Sequence, residues 1–248
     1  MLRLAAALVF VAAVAAAAAA EEPPPAAAVR PDLSLDEALE TVDPALAPWS
    51  AVARINNSVG GSCSGVLVAP DRVVTAAHCL YNDRTGVMLR AEAIHVLVGF
   101  ARGDYAFHTR ARGYRIAVGW DPARGSETVA ADLALLELEE PVPDAVEPLP
   151  LATEIPPQGT GLIAVGYARQ RAYVPTVIRN CGSVGGLAEG RLLAVRCAAA
   201  HGYSGGPLLT EDIPAQVAGI QIATGRAGAR PLTLAIPAPR IAEFLAAP

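Results

Sequence analysis

From Pro48 onward, short apolar or alternating runs are separated by Gly, Pro, Asn and Asp, and this pattern constrains the fold more than any other feature of the chain. Runs of about four to eight such residues between turn residues are typical of β-strands. The predicted strands are Ala51–Ile55, Ser64–Ala69, Arg72–Thr75, Ile94–Phe100, Gly113–Val118, Leu133–Leu138, Gly161–Tyr167, Leu192–Cys197, Gly206–Thr210, Gln216–Ala223 and Pro231–Ile236. Many short strands at regular intervals predict barrels or a sandwich rather than alternating strands and helices.

Two other segments divide and close this strand-rich region. The Pro-rich stretch Pro141–Pro150 is the best internal linker, and it separates two similar halves, at about residues 48–140 and about 150–248. At the end of the chain Ile241, Phe244 and Leu245 fall on one face of a helix. The sequence therefore predicts an all-β domain with one C-terminal helix.

The segment Met1–Ala20 has the pattern of a secretion signal. Arg3 is followed by an unbroken apolar run that ends in Ala18-Ala19-Ala20, a small-residue cleavage site. The alternative is a retained membrane anchor, which the weak hydrophobicity of alanine and the adjoining Glu21-Glu22-Pro23 disfavour. We therefore expect export to the periplasm or out of the cell, with cleavage near Ala20.

Residues 21–47 are rich in Pro, Ala and acidic side chains, and only Leu33–Leu39 could form a short helix. This composition predicts a pro-segment or flexible arm ahead of the folded domain, which we place at residues 48–248.

Charge and cysteine content narrow the partners and the compartment. A formal charge of −5 without any dense basic run argues against nucleic acid or an anionic membrane surface as partner. All 19 basic residues are Arg, which excludes a catalytic Ser-Lys pair. Export places the four cysteines in an oxidising compartment, where they predict two disulfides with three possible connectivities. No Cys or His spacing typical of a zinc site occurs, so neither a metal nor a cofactor is expected.

Two motifs place ionisable side chains at strand ends. Thr75–Cys79 follows an apolar strand, so His78 is expected where that strand ends. Asp132 directly precedes the apolar run Leu133–Leu138, where burial would require a hydrogen-bonding partner for its carboxylate. A buried carboxylate can fix the tautomer of a histidine base and stabilise its protonated form.

A third motif, Gly202–Pro207, sets Ser204 among glycines, which permit close approach of the backbone to a reacting group. A serine hydroxyl becomes an effective nucleophile when a neutral imidazole accepts its proton. We therefore predict that His78, Asp132 and Ser204 form a catalytic triad for amide hydrolysis through an acyl-enzyme. The backbone N–H groups of Gly202 and Ser204 are the predicted oxyanion donors.

These motifs resemble those of trypsin-like serine proteases, over about Pro48 to Leu245, because they match that family's T-A-A-H-C, D-[IL]-A-L-L and G-x-S-G-G-P sequences. The resemblance implies a chymotrypsin-like fold of two six-stranded antiparallel β-barrels, with the active site in the cleft between them. It also implies the disulfides Cys63–Cys79 and Cys181–Cys197. We expect a secreted, monomeric endopeptidase that acts on proteins or peptides. The short second half looks more like compact bacterial members, with some resemblance to glutamyl endopeptidases.

One departure from the family pattern concerns activation. Most trypsin-like enzymes have Asp before the serine, where it pairs with the N-terminal amine that activation creates, whereas this chain has Tyr203. No I-V-G-G-like sequence precedes Pro48. We infer that the usual activation salt bridge cannot form and that the loop around the serine is held in another way.

A second departure concerns substrate preference. The position that carries Asp in trypsin is Ala198, so a preference for Arg or Lys is not supported. We predict a pocket formed by Ala198, His201, Gln221 and Ala223 that takes a neutral or small apolar side chain. A glutamyl preference usually needs a His where Gln221 stands.

Two other functions fit parts of the sequence. G-x-S-x-G also occurs in α/β-hydrolases, but that fold needs a histidine after the serine, and all four histidines precede Ser204. The other alternative is a pseudoprotease that keeps the fold as a binding module. The intact triad argues against it, and Tyr203 leaves it open.

Overall fold

A computed structural model describes residues 35–197, 200–227 and 230–247. The predicted signal peptide, residues 21–34 of the predicted arm, and Ala198 lie outside the described residues. The strands are β1 Glu40–Thr41, β2 Val52–Asn57, β3 Ser62–Ala69, β4 Arg72–Thr75, β5 Tyr81–Asn82, β6 Val87–Met88, β7 Ile94–Val98, β8 Phe107–Ile116, β9 Ala134–Leu138, β10 Gly161–Gly166, β11 Thr176–Leu187, β12 Leu192–Arg196, β13 Pro207–Thr210, β14 Val217–Ala227 and β15 Arg230–Pro237.

The α-helices are short and lie at the two ends of the described chain, α1 at Leu35–Ala38 and α2 at Ala238–Ala246. Short 3₁₀ helices occupy Trp49–Ala51, Ala77–Leu80, Ala91–Ala93, Pro122–Glu127, Val129–Ala131 and Arg169–Arg171. Within the described part of the chain, no helix has the length and apolar character needed to cross a membrane.

The first barrel is a closed antiparallel sheet in the order β2, β3, β4, β9, β8, β7. Its interior is filled by fully buried aliphatic side chains such as Val66, Val74 and Leu136. These residues belong to the apolar runs that predict strands, and burial of one face of each run closes the sheet around a common core.

The second barrel is closed in the order β11, β10, β13, β14, β15, β12, because β12 also pairs with β11. Leu162, Leu193 and Leu208 are fully buried in it. Helix α2 follows β15 and buries Ile241 completely, on the face that the sequence predicts. The predicted architecture of two six-stranded antiparallel barrels and a C-terminal helix is confirmed.

The N-terminal segment Leu35–Val42 packs on the second barrel and adds β1 to it as an edge strand. Strand β1 pairs with the start of β11, and the N–H of Val42 donates to the carbonyl of Pro175 at 3.2 Å. Leu39 is only 4% exposed. The flexible-arm alternative for residues 21–47 does not describe this part of the chain, because the barrel buries Leu39 as an apolar anchor. The pro-segment alternative stays a prediction.

Candidate active site

The pairing of β4 with β9 brings His78 and Asp132 together. In this antiparallel pair, Thr75 at the end of β4 lies opposite Ala134 at the start of β9. His78 lies in the 3₁₀ helix just after β4, and Asp132 lies just before β9. Both side chains therefore emerge at the same edge of the first barrel.

The carboxylate of Asp132 is buried and contacts His78 twice. Oδ2 lies 2.6 Å from Nδ1 of the ring, and Oδ1 accepts the backbone N–H of His78 at 2.9 Å. Because a carboxylate only accepts, the shared proton is assigned to Nδ1, and Nε2 of the neutral ring is left as a proton acceptor. The His78 side chain is 38% exposed, so the ring is open to a bound molecule.

Ser204 belongs to the second barrel, but its backbone is attached to the first. The carbonyl of Ser204 accepts the N–H of Ser64 at 2.8 Å and lies 3.7 Å from Sγ of Cys79. Cys79 directly follows His78 in the chain. The structure therefore brings His78, Asp132 and Ser204 to the same part of the cleft between the barrels.

Two consecutive turns shape the loop around Ser204, each closed by a backbone hydrogen bond from its fourth residue to its first. The third residue of each turn is a glycine with positive φ, +96° at Gly202 and +78° at Gly205. Residues with a Cβ rarely adopt this conformation. A Cβ on Gly205 would also lie 2.1 Å from the hydroxyl oxygen of Thr75. Both glycines are therefore required for the path of the loop.

The orientation of the peptide bond between His201 and Gly202 is fixed from one side. The carbonyl of His201 accepts the N–H of Arg169 at 2.7 Å. Because the N–H and C=O of a trans peptide point in opposite directions, the N–H of Gly202 points away from Arg169. Among the described residues, no backbone carbonyl accepts the N–H of Gly202 or Ser204. This geometry suits the role of oxyanion donor that the sequence predicts for both groups.

Ser64 links the loop to the first barrel and was missed by the sequence analysis. Its hydroxyl donates to the carbonyl of Gly202 at 2.8 Å and accepts the N–H of Tyr167 at 2.9 Å. The hydroxyl of Thr75 in turn donates to the carbonyl of Ser64 at 2.8 Å. A serine beside a cysteine gives no sequence signal for such a role, because the contact depends on a residue far along the chain.

Tyr203, where the family pattern has Asp, is buried beneath the loop with 2% exposure. The Tyr203 hydroxyl lies 2.8 Å from Oγ1 of Thr176. The Thr176 hydroxyl itself donates to the carbonyl of Gly166 at 3.2 Å. A threonine hydroxyl has one proton, so Tyr203 donates to Thr176. Burial raises the pKa of Tyr203 well above the ordinary value of about 10, so the side chain stays neutral.

A small cavity of about 30 Å³ lies beside Ser204. The described residues that line it are Ala200, Tyr203, Ser204, Gln221, Ile222, Ala223, Thr224 and Thr233. Space of this size holds about two water molecules. None of these described lining side chains is charged. Of the predicted pocket residues, Gln221 and Ala223 line the cavity, whereas His201 is exposed and is not one of the lining residues.

Two lining residues differ in how their polar atoms are used. Nε2 of Gln221 lies 3.1 Å from the carbonyl oxygens of both Val165 and Pro207, so its amide joins neighbouring strands of the barrel. The hydroxyl of Thr233 is buried and has no hydrogen-bond partner among the residues that the structure describes. No local pattern points to Thr233, because it reaches the pocket only through the register of β14 with β15, which sets it opposite Thr224.

The structure contains the disulfides Cys63–Cys79 and Cys181–Cys197. The first ties the start of β3 to the turn that carries His78. Cys63, His78 and Cys79 are the one described group whose potential metal-ligating atoms lie close together. Their sulfur atoms are bonded to each other and cannot act as thiolate ligands.

A larger cavity of about 230 Å³ lies between α2 and the first barrel, away from Ser204. Its described lining residues are Ala117, Val118, Ala130, Ala131, Leu133, Ile236, Arg240, Glu243 and Phe244. The chain's predicted site residues are not among them, and Arg240 and Glu243 pair with each other.

Comparison with known families gives a match to the Trypsin family over residues 39–245. The chain is 34% identical over 131 residues to kallikrein 1-related peptidase b27 of Mus musculus, covering 48% of this chain and 47% of that protein. It is 28% identical over 120 residues to a glutamyl endopeptidase of Bacillus licheniformis, covering 48% of this chain and 36% of that protein. The chain spans about half or less of the length of these curated relatives.

A similar fold occurs in a solved structure of a Glu endopeptidase in complex with MPD. The TM-score is 0.66 at 19% sequence identity, and the similarity covers 84% of this chain and 94% of that chain. At this identity the likeness concerns the fold.

Proposed function

The chain belongs to the trypsin family, and from that premise we propose that it is a serine-type endopeptidase with His78, Asp132 and Ser204 as its catalytic triad. The observation that carries this proposal is the His78–Asp132 pair. A buried carboxylate 2.6 Å from Nδ1 leaves Nε2 as the basic atom, on a ring that is open to the cleft. A merely structural histidine has no need of this arrangement.

In the proposed reaction, Oγ of Ser204 attacks the scissile carbonyl carbon while Nε2 of His78 takes the hydroxyl proton. Asp132 holds the ring and stabilises its protonated form. When the tetrahedral intermediate collapses, the C–N bond breaks and Nε2 returns the proton to the leaving amine. Water then attacks the acyl-enzyme by the same steps and releases the acid product and free Ser204.

The N–H groups of Gly202 and Ser204 are proposed to donate to the oxygen that becomes negative in the tetrahedral intermediate. Support comes from the orientation of the Gly202 N–H away from Arg169, and from the lack of a backbone acceptor for either group among the described residues. Loss of one such donor typically lowers the rate about 10²–10³-fold.

We propose proteins or peptides as substrates, with a small uncharged side chain in the cavity beside Ser204. A cavity of about 30 Å³ with no charged side chain among its described lining residues favours such a group over Arg, Lys or Glu. Ala223 lines the proposed pocket, and Gln221 contributes its wall while its amide is engaged with the backbone.

Export remains part of the proposed function, with Met1–Ala20 as a cleaved signal peptide and the enzyme acting as a monomer in the periplasm or outside the cell. The pattern of Arg3, apolar run and Ala18-Ala19-Ala20 supports the signal. Two disulfides fit an oxidising compartment.

A fluorophosphonate probe tests the activity, because it reacts with a serine only when that serine is activated as a nucleophile. The purified protein is labelled, the adduct is located by mass spectrometry, and cleavage of a diverse peptide library is measured. We expect labelling at Ser204 that Ser204→Ala and His78→Ala abolish, together with cleavage of library peptides. A folded protein that neither labels at Ser204 nor cleaves any peptide would instead be a pseudoprotease.

A further inference from the structure

We propose that the N-terminal segment Leu35–Val42 remains in the active enzyme and holds the Ser204 loop in place through the hydroxyl pair of Thr176 and Tyr203. This inference rests on the proposed endopeptidase activity. It concerns how that site is kept in a working conformation without a newly cut N-terminus.

Tyr203 lies between the two proposed oxyanion donors, Gly202 and Ser204. Its Cα joins the Gly202–Tyr203 and Tyr203–Ser204 peptides, so a shift of this Cα displaces the N–H of Ser204 directly and that of Gly202 through the Cα of Gly202. The ring is buried, and its hydroxyl is bound to Thr176 at 2.8 Å. The side chain is therefore fixed at its far end, and the loop is fixed with it.

Thr176 is held from two sides. It is fully buried at the start of β11, where it pairs with Gly166 of β10 on one side and with Thr41 of β1 on the other. Next to it, the carbonyl of Pro175 accepts the N–H of Val42. The N-terminal segment is thus one of the two neighbours that set the position of the Thr176 hydroxyl.

The N-terminal segment is also joined to the core that contains Tyr203. Leu39 belongs to the same buried apolar cluster as Tyr203, and its carbonyl accepts a hydrogen bond from Nη1 of Arg171 at 2.8 Å. Glu40 forms an ion pair with Arg179 at 2.9 Å. Removal of the segment would expose part of this core and leave one edge of β11 without its partner strand.

The chemistry under the loop also favours a retained segment. Tyr203 and Thr176 are neutral and satisfy each other, so this position offers no carboxylate to a new N-terminal ammonium group. Burial of an unpaired ammonium is strongly unfavourable. The Tyr203–Thr176 hydroxyl pair therefore forms without cleavage of the chain, whereas an ammonium–carboxylate pair at this position would form only after cleavage.

Substitution of the hydroxyl pair tests the positioning role. Tyr203→Phe removes the hydroxyl and keeps the ring, and we expect kcat for an amide substrate to fall about tenfold at unchanged KM, less than the about 10²–10³-fold loss of a whole donor. Thr176→Val should give a comparable loss, and the double variant little further loss, because both act through one bond. Thr176→Ser keeps the hydroxyl and should restore the rate.

Tyr114→Phe is the matched control, since the Tyr114 hydroxyl also donates one hydrogen bond, to the carbonyl of Leu89 at 2.7 Å, but lies in the first barrel. We expect it to lower the melting temperature and leave kcat unchanged. The positioning role is wrong if Tyr203→Phe likewise changes only the melting temperature, or if the losses from Tyr203→Phe and Thr176→Val add fully.

Mass spectrometry of the intact labelled protein tests whether the segment is retained. The chain from residue 21 is produced with an N-terminal tag, incubated until its activity is constant, and labelled with the fluorophosphonate probe. We expect the labelled species to contain Leu35–Val42. Labelling confined to species that begin after Val42 would overturn the inference and leave the proposed activity intact. Absence of any labelling at Ser204 would instead contradict the proposed activity.

Discussion

The hydroxyl of Ser64 lies 2.8 Å from the carbonyl oxygen of Gly202, and this contact joins the first barrel to the loop that carries Ser204. The same hydroxyl accepts the N–H of Tyr167 at 2.9 Å. One side chain on the His78 barrel thus orients backbone groups that precede Ser204. The alignment of the two halves of the site depends on this bridge.

Ser64→Ala should therefore affect both stability and catalysis. It leaves the carbonyl of Gly202 and the N–H of Tyr167 without their side-chain partner, and an unsatisfied buried polar group costs about 1–3 kcal/mol. We expect the free energy of unfolding, measured in urea, to fall by that amount. We also expect kcat to fall about tenfold, because the Gly202–Tyr203 peptide between the two proposed oxyanion donors is less well oriented. Ser62→Ala, at an exposed position of the same strand, is the control. Equal effects of the two substitutions would show that the bridge has no role.

Asp132→Asn tests the carboxylate behind His78. An amide can donate to Nδ1 and so favours the tautomer with its proton on Nε2, which cannot accept the proton of Ser204. In a triad this change lowers kcat by about 10⁴-fold, and we expect KM to change little. Steady-state kinetics on a cleaved library peptide gives both constants.

Asp121→Asn is the matched control, because Asp121 caps an exposed 3₁₀ helix by accepting the N–H of Ala123. Its kcat should stay within about twofold of the parent, since a surface cap contributes to stability only. Similar kcat values for Asp132→Asn and Asp121→Asn would contradict the role of Asp132.

The buried tyrosines predict how stability depends on alkaline pH. Burial raises the pKa of both Tyr167 and Tyr203 in the folded chain. In the unfolded chain a tyrosine has a pKa of about 10, so above about that pH the unfolded chain releases these two protons while the folded chain keeps them. The folded state then binds more protons, so the free energy of unfolding is unaffected below about pH 10 and falls as pH rises above it.

The contribution of each of these two tyrosines to that decline should approach about 1.4 kcal/mol per pH unit once the pH is well above 10. Tyr203→Phe removes one contribution, so urea unfolding between pH 9 and 11 should show a shallower decline than the parent. Tyr105→Phe, at an exposed position, should leave the slope unchanged. Parallel slopes for the parent and Tyr203→Phe would show that Tyr203 is not buried as a neutral group.

Much of the fold was predictable because the barrels bury continuous apolar runs. Each predicted strand overlaps an observed one, but β11 and the two-residue strands β1, β5 and β6 were missed. The interior of β11 holds Asn180, Gly182, Gly185 and Gly186, which interrupt the alternation of apolar and polar residues. The barrel tolerates them because β10 and β12 supply hydrogen-bonding partners on both edges. Tertiary pairing outweighs local propensity there.

The residues of the candidate site likewise fall into those that local motifs predict and those that only tertiary packing brings to the site. His78, Asp132 and Ser204 lie in motifs whose local pattern is informative, at a strand end, before a strand and among glycines. Ser64 and Thr176 act through single hydroxyls that contact residues far along the chain. No local spacing encodes such contacts, because they arise only when the two barrels and the N-terminal segment pack together.

Thr233 and Thr176 are both buried threonines, but the same substitution should change stability in opposite directions at the two positions. Within the described part of the chain, the hydroxyl of Thr233 has no hydrogen-bond partner, whereas that of Thr176 bonds to Tyr203 and to the carbonyl of Gly166. Valine replaces the hydroxyl by a methyl group of similar size. Thr233→Val should therefore raise the free energy of unfolding by about 1 kcal/mol, and Thr176→Val should lower it by about 1–3 kcal/mol.

Thr233→Val also tests the pocket, because Thr233 lines the cavity beside Ser204. An unpartnered buried hydroxyl can hydrogen-bond to a small polar side chain of a substrate, and valine cannot. In the peptide library, we expect the ratio of kcat/KM for Ser over Ala at the cleaved position to fall by about tenfold in Thr233→Val, the equivalent of one hydrogen bond of about 1.4 kcal/mol. An unchanged ratio would show that this wall of the cavity does not contact the substrate.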